Sequence, residues 1–151
     1  MAISSRAELK DDVFLRIATT LGTLSTCDRA AVGAVIVRDG RAVSWGYNGA
    51  PPGAPHCLEN DHGWDNVPID NVYKGLGCRN ATHAEANALA FAARQGISTD
   101  GATLYVTISP CEVCSRLLIA AGIVRVCYDE LYRDESGLDL LYDAGVKLVR
   151  P

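Results

Sequence analysis

The chain has 151 residues, 48% of them hydrophobic, with a formal net charge of −4 and six cysteines. That length suits one domain over 1–151 with enough apolar content for a core, and Lys and Arg scattered singly give no basic stripe for a nucleic-acid polymer. No run approaches the ~18 uninterrupted apolar residues of a membrane span, and the opening MAISSRAELKDD lacks an apolar signal region. A soluble, cytoplasmic protein with no membrane contact is therefore expected, in which six cysteines serve as reduced thiols or metal ligands rather than as a disulfide scaffold.

Ser5 with Glu8 three residues later is a capping-box signal, and Leu9, Val13, Ile17, Leu21 and Leu24 recur at helical spacing, which predicts a first helix from about Arg6 to Leu24. AAVGAVIV and RAVSWGYN flank Asp39-Gly40, a hairpin signal between two antiparallel strands. From Gly49 to Gly77 the composition turns to Pro, Gly, Asn and Asp, which is long for a structureless loop and implies one that is functional or held by something. HAEANALAFAARQG is Ala-rich and ends in Gly96, a helix with a glycine stop. ATLYVTI is a strand, CEVCSRLLIAAG a helix, VRVCY a strand, LDLLYDAG a short helix and VKLV a last strand. Strands alternating with helices after an opening hairpin imply an α/β fold, with a mixed sheet of about five strands and helices on both faces.

Cys111 and Cys114, three apart at a helix start, share one face and can meet one ion at about 2.3 Å each. The helix end also favours the thiolate form. A thioredoxin-like redox pair is the other reading of this motif. Upstream, His83 also opens a predicted helix. His83, Cys111 and Cys114 make three zinc ligands and leave one tetrahedral position open, the pattern of a catalytic rather than a structural site. Two thiolates and a neutral imidazole balance Zn2+ and leave its water able to ionise with a pKa of about 7. Glu85 stands two residues from His83. In a regular helix, positions i and i+2 diverge, so Glu85 is a poor ligand, but at a loosened first turn it can reach over the water as a proton shuttle. A non-enzymatic zinc clip would want four protein ligands and have no use for Glu85. Cys127, in an apolar strand, reads as a core cysteine.

Together the two motifs form the H-x-E and P-C-x-x-C signature of zinc-dependent deaminases. HAEANA with TLYVTISPCEVC resembles the cytidine deaminase-like superfamily, GYNGAPPGAPHC resembles its dCMP deaminase family, and FAARQG is similar to the bacteriophage members. The resemblance runs from about Cys27 to Val149. It implies a three-layer α/β/α cytidine deaminase-like fold and an aminohydrolase that converts dCMP to dUMP and ammonia for thymidylate synthesis. It also implies cytoplasmic action, in the host cytoplasm if the chain is phage-encoded. By the same resemblance His83, Cys111 and Cys114 hold the catalytic zinc, Glu85 is the general acid/base, the backbone at Ala84 contacts the pyrimidine, Asn48 contacts the sugar, and Tyr132 lies near the 5′-phosphate. From the residues alone, YNG reads rather as a turn and Tyr132 as a packed aromatic.

Family members often carry a second, structural zinc. Cys27 and Cys57 match its cysteines, His62 and Cys78 are candidates for the remaining places, and His56 is a rival for one of them. Family members are commonly homohexamers, activated by dCTP with Mg2+ and inhibited by dTTP. Tyr47, Gly49, Phe91 and Arg94 are the expected nucleotide contacts, against a solvated arginine and a core phenylalanine. The same zinc core elsewhere serves nucleoside, free-base, riboflavin-pathway and tRNA deaminases. Acidic charge disfavours tRNA, and GYNGAPPGAPHC favours dCMP. An inert, zinc-stabilised module that binds dNTPs is the non-enzymatic alternative.

Overall fold

The computed structural model describes residues 5–27, 29–57 and 81–151. Its elements follow the expected order: α1 (Arg6–Gly22), β1 (Gly33–Arg38), β2 (Arg41–Tyr47), α2 (Ala84–Arg94), β3 (Thr103–Ile108), α3 (Glu112–Ala120), β4 (Arg125–Glu130), α4 (Ser136–Asp143) and β5 (Lys147–Val149). The capping box forms as the sequence implies: Glu8 N donates to Ser5 Oγ at 3.2 Å and Ser5 N to the Glu8 carboxylate at 2.7 Å. Asp39 and Gly40 both take positive φ, 52° and 75°, the geometry a two-residue hairpin turn requires. Helix α1 ends at Gly22, two residues short of the expected Leu24. Helix α4 starts two residues before LDLLYDAG.

The strands form one mixed sheet in the order β2-β1-β3-β4-β5. β1 runs antiparallel to both β2 and β3, while β3, β4 and β5 are parallel. Period-two alternation divides the core between two faces. Ala34, Ile36, Leu104, Val106 and Val126 meet Ala84, Ala88, Leu118, Leu138 and Leu141 of α2, α3 and α4. On the other face Val35, Val37, Tyr105 and Cys127 meet Leu15 and Ala18 of α1. The result is a three-layer α/β/α arrangement, and Cys127 is a core residue within it.

Helix α1 sits differently from what its aliphatic stripe suggests. Asp11, Leu15, Ala18 and Gly22 face inward, whereas Leu9, Val13, Ile17 and Leu24 are exposed. Close approach explains the rotation: a Cβ built on Gly33 would lie 1.8 Å from Ala18 O, so only small helix residues, Ala18 and Gly22, fit over Gly33 at the start of β1. No helix among the described residues is long and apolar enough to cross a membrane.

Asp11, 8% exposed, is held by Arg125 and Tyr105. Arg125 Nη1 and Nη2 donate to its two oxygens at 3.0 and 2.6 Å, and Tyr105 Oη donates at 2.9 Å. Burial alone would raise the Asp11 carboxyl, but the hydrogen bonds from Arg125 and Tyr105 and the Arg125 charge outweigh it and hold the pKa below the ordinary 3.8. Burial, then the bond to Asp11, pushes the Tyr105 phenol up to about 12. A lowered carboxyl pKa contributes stability that is complete above the unfolded value and is lost as pH falls through the folded one. Asp11→Ala should therefore cost about 2 kcal/mol at pH 7, because Arg125 and Tyr105 lose their acceptor. Urea unfolding should show the gap from wild type narrowing as pH drops below about 4.

Candidate active site

Two helix starts meet at the carboxyl ends of the central strands. His83 is the N-cap of α2 with extended backbone, φ −67° and ψ 153°, and its imidazole does not cap the helix. Cys111 is the N-cap of α3, φ −71° and ψ 169°, just past the end of β3, and Cys114 lies in the first turn. Both helices are placed by packing. A Cβ on Gly46 would lie 2.5 Å from Ala84 O and 2.6 Å from Ala88 N, so β2 brings the start of α2 closer than any larger residue would permit. Gly137 plays the corresponding part at the start of α4, where a Cβ would lie 2.2 Å from Pro110 O.

His83 Nδ1 stands 3.5 Å from both Cys111 Sγ and Cys114 Sγ. All three ligand atoms lie within 4.8 Å of one another. Zinc bonds of about 2.05 Å to nitrogen and 2.3 Å to sulfur, set at a tetrahedral angle, place N and S about 3.6 Å apart. The three side chains therefore fit zinc as they stand, with one tetrahedral position left over. The hydrogen bond from Cys114, followed by the bond to His83, draws the Cys111 thiol down to about 4. Cys114, which supplies that bond and is 2% exposed, is pushed up.

Glu85 is the second residue of α2 and is 4% exposed. Burial pushes its carboxyl up, with the neighbouring Cys111 adding to that effect, while its own backbone, His83 and Cys114 oppose it. The i, i+2 objection is met by His83 itself: an extended N-cap leaves the helical path, so Glu85 and His83 reach the same place from different backbone directions.

A cavity of about 220 Å³ opens at the carboxyl ends of β3 and β4, lined by His83, Glu85 and Cys111, the location favoured for ligands in open α/β sheets. Asn48, Ala84 and Tyr132 line it too, so these three residues share the cavity with His83, Glu85 and Cys111. Cys27 also lines this cavity, and Cys57 is buried, while His62 and Cys78 lie outside the described residues. His83, Cys111 and Cys114 form the one metal-competent group among the described residues.

The remaining candidates lie elsewhere. Tyr47 and Phe91 flank Trp45, whose ring centroid is 6.3 Å from each, and Trp45 and Phe91 are both 45% exposed. Gly49 pairs with Thr82, beside His83, through bonds of 3.1 and 2.8 Å. Arg94 is exposed in the last turn of α2.

Sequence reasoning passed over Arg29, Ser109 and Arg133, all of which line the cavity. Ser109 Oγ accepts Tyr132 N at 2.7 Å, fixing the loop after β4. Arg133 stacks over Tyr132, with its guanidinium carbon 5.2 Å from the ring centre. The available signals were position alone: Arg29 two residues past Cys27, and Arg133 next to Tyr132.

Residues 9–130 match the family model for the cytidine and deoxycytidylate deaminase zinc-binding region. The chain is 47% identical over 120 residues to the deoxycytidylate deaminase of Mycobacterium phage D29, covering 78% of this chain and 92% of that protein. Identity to the deoxycytidylate deaminase of Enterobacteria phage T4 is 34% over 171 residues, covering 93% and 89%. Among solved structures, dCMP deaminase from the cyanophage S-TIM5 in complex with dCMP and dUMP is similar with a TM-score of 0.82 and 32% identity, covering 98% of this chain and 100% of that one.

Proposed function

The chain belongs to the cytidine and deoxycytidylate deaminase family, and from that premise we propose that it hydrolyses dCMP to dUMP and ammonia, supplying dUMP for thymidylate synthesis. One observation carries the reading: a buried carboxylate, Glu85, sits beside a three-ligand zinc site in a cavity that two arginines also line.

His83, Cys111 and Cys114 would hold zinc, which would supply Lewis acidity and acidify a water. Glu85 takes the proton released as water adds to the amine-bearing carbon C4, and delivers it to ring nitrogen N3. It then takes the proton of the hydroxyl added at C4 and carries it to the departing amine, so that ammonia leaves, a carbonyl remains and Glu85 ends as it began. Asn48 and the Ala84 backbone border the pyrimidine and sugar. Arg29, Tyr132 and Arg133 form the phosphate end, where guanidinium groups suit a phosphate dianion.

Regulation and assembly belong to the same reading. dCTP with Mg2+ as activator and dTTP as inhibitor are assigned to Tyr47, Gly49, Phe91 and Arg94. The half-exposed Trp45 between Tyr47 and Phe91 supports this, since such a surface stacks on a nucleobase. A homohexamer is the assembly assigned from the family, and the exposed aliphatic stripe Leu9, Val13 and Ile17 on α1 supports self-association of some kind. A structural zinc on Cys27 and Cys57, completed by His62 and Cys78, is kept as part of the proposal, as are a single domain over 1–151 and cytoplasmic action.

The test is ammonia release from dCMP, deoxycytidine, CMP, cytosine and dCTP, each with and without the two effectors. dCMP should be strongly preferred. Arg29→Ala should raise KM for dCMP by roughly 10- to 100-fold, the worth of a hydrogen bond to a charged group, and leave deoxycytidine turnover unchanged. Equal turnover of deoxycytidine and dCMP by the unaltered protein would overturn the phosphate assignment.

A further inference from the structure

Given the dCMP reading above, we propose that Ser25, which does not line the cavity, is a positioning residue that sets the phosphate-side wall of the substrate site. That wall consists of Cys27, Arg29, Ala30 and Val32, together with Asn48. The described residues between α1 and β1, 23–27 and 29–32, belong to no helix or strand, so no ladder among them fixes the backbone that carries Arg29. Side chains do it instead.

Ser25 is anchored to α1 by its own N–H, which donates to Gly22 O at 2.9 Å. Its Oγ stands at a three-way junction. It donates to Asn48 O at 2.8 Å, has Ala30 O as a longer alternative at 3.3 Å, and accepts Cys27 N at 3.2 Å. Asn48 completes the clamp from the other side: its Nδ2 donates to Ala30 O at 2.7 Å, its Oδ1 accepts Val32 N at 2.8 Å, and its own N–H donates to Val32 O at 3.1 Å.

The network has a direction. The Asn48 amide is 7% exposed and committed to backbone on both of its polar atoms, so wherever the Asn48 backbone lies, the Ala30–Val32 backbone follows. Ser25 sets that backbone against the end of α1. On the other side of the turn, the Gly49–Thr82 pair and the bond from Asn87 Nδ2 to Tyr47 O at 2.7 Å tie the same turn to α2, which carries His83 and Glu85. The arginine wall and the proton-transfer group are thus registered through one turn. Asn48 borders the substrate, so its substitution would mix direct contact with positioning. Ser25 separates the two, because it touches only the scaffold.

Ser25→Ala removes a donor to Asn48 and an acceptor for Cys27 while leaving the metal site and Glu85 intact. It should raise KM for dCMP by about 3- to 10-fold, the worth of one hydrogen bond, with kcat within twofold, zinc content unchanged and a clearly smaller rise in KM for deoxycytidine, which shares the Asn48 border but lacks the phosphate. Ser25→Thr keeps the hydroxyl and should hold KM for dCMP near the wild-type value. A general loss of structure would impair both substrates together and reduce kcat and zinc. An unshifted KM for dCMP in Ser25→Ala, an equal loss on deoxycytidine, or an alanine-like defect in Ser25→Thr overturns the inference. Wild-type protein that fails to prefer dCMP to deoxycytidine overturns the functional reading, and this inference with it. Wild-type preference combined with an unshifted Ser25→Ala overturns this inference alone.

Discussion

Glu85→Gln should lower kcat on dCMP by about 10²- to 10⁴-fold, the usual contribution of a positioned general acid/base, with zinc content and thermal midpoint near wild type. The substitution preserves shape in a site that is 4% exposed, so the packing of Ala84 and Ala88 against the sheet is undisturbed. It removes only the capacity to gain and lose a proton. The wild-type carboxylate is costly to bury, which is why its pKa rises. A neutral amide in the same place should leave the fold equally or slightly more stable, the trade expected where a catalytic group is held at the expense of stability. Zinc content measured on the same sample separates this outcome from metal loss. Turnover within tenfold of wild type would remove Glu85 from the proton path.

The parts of this arrangement that were legible in the sequence are those with local causes. Ser5 and Glu8 cap a helix through contacts three residues apart. Asp39-Gly40 turns a hairpin through its own dihedrals. His83, Cys111 and Cys114 announce themselves because each stands at a helix start, where spacing and dipole already favour a metal. The hidden parts depend on the sheet order, β2-β1-β3-β4-β5, which no local pattern carries. That order sets the loop before β1 beside the loop after β4, so Arg29 and Arg133 share one cavity across 104 positions of chain (133 − 29). Asp11 was hidden for a related reason: its partners Tyr105 and Arg125 come from β3 and β4, and nothing in the periodicity of α1 marks an acidic residue as the inward one. The aliphatic stripe of α1 even points the wrong way, because contact with Gly33 selects small residues over large ones.

Metal removal should have the other large effect. A strong chelator should abolish deamination, and Zn2+ should restore it, because His83, Cys111 and Cys114 offer no alternative source of an acidified water. The same ion should act as a clasp. Its ligands come from the starts of α2 and α3, two elements otherwise joined through the sheet and a shared apolar core. An ion present at 1,000 times its Kd adds about 4 kcal/mol to the folded state, and in a chain of this length each kcal/mol is worth about 2–4 °C. Chelation should therefore lower the thermal midpoint by on the order of 10 °C without unfolding the protein at 25 °C, since the core on both sheet faces is complete without the metal. Cys111→Ala should reproduce both losses and resist rescue by added Zn2+. Cobalt gives an independent readout: a four-coordinate site with two thiolates should show thiolate-to-cobalt charge transfer and intense tetrahedral visible bands, and Cys111→Ala should weaken both. Retained zinc and activity in Cys111→Ala would reject the three-ligand assignment, whereas lost activity with an unchanged thermal midpoint would reject only the clasp.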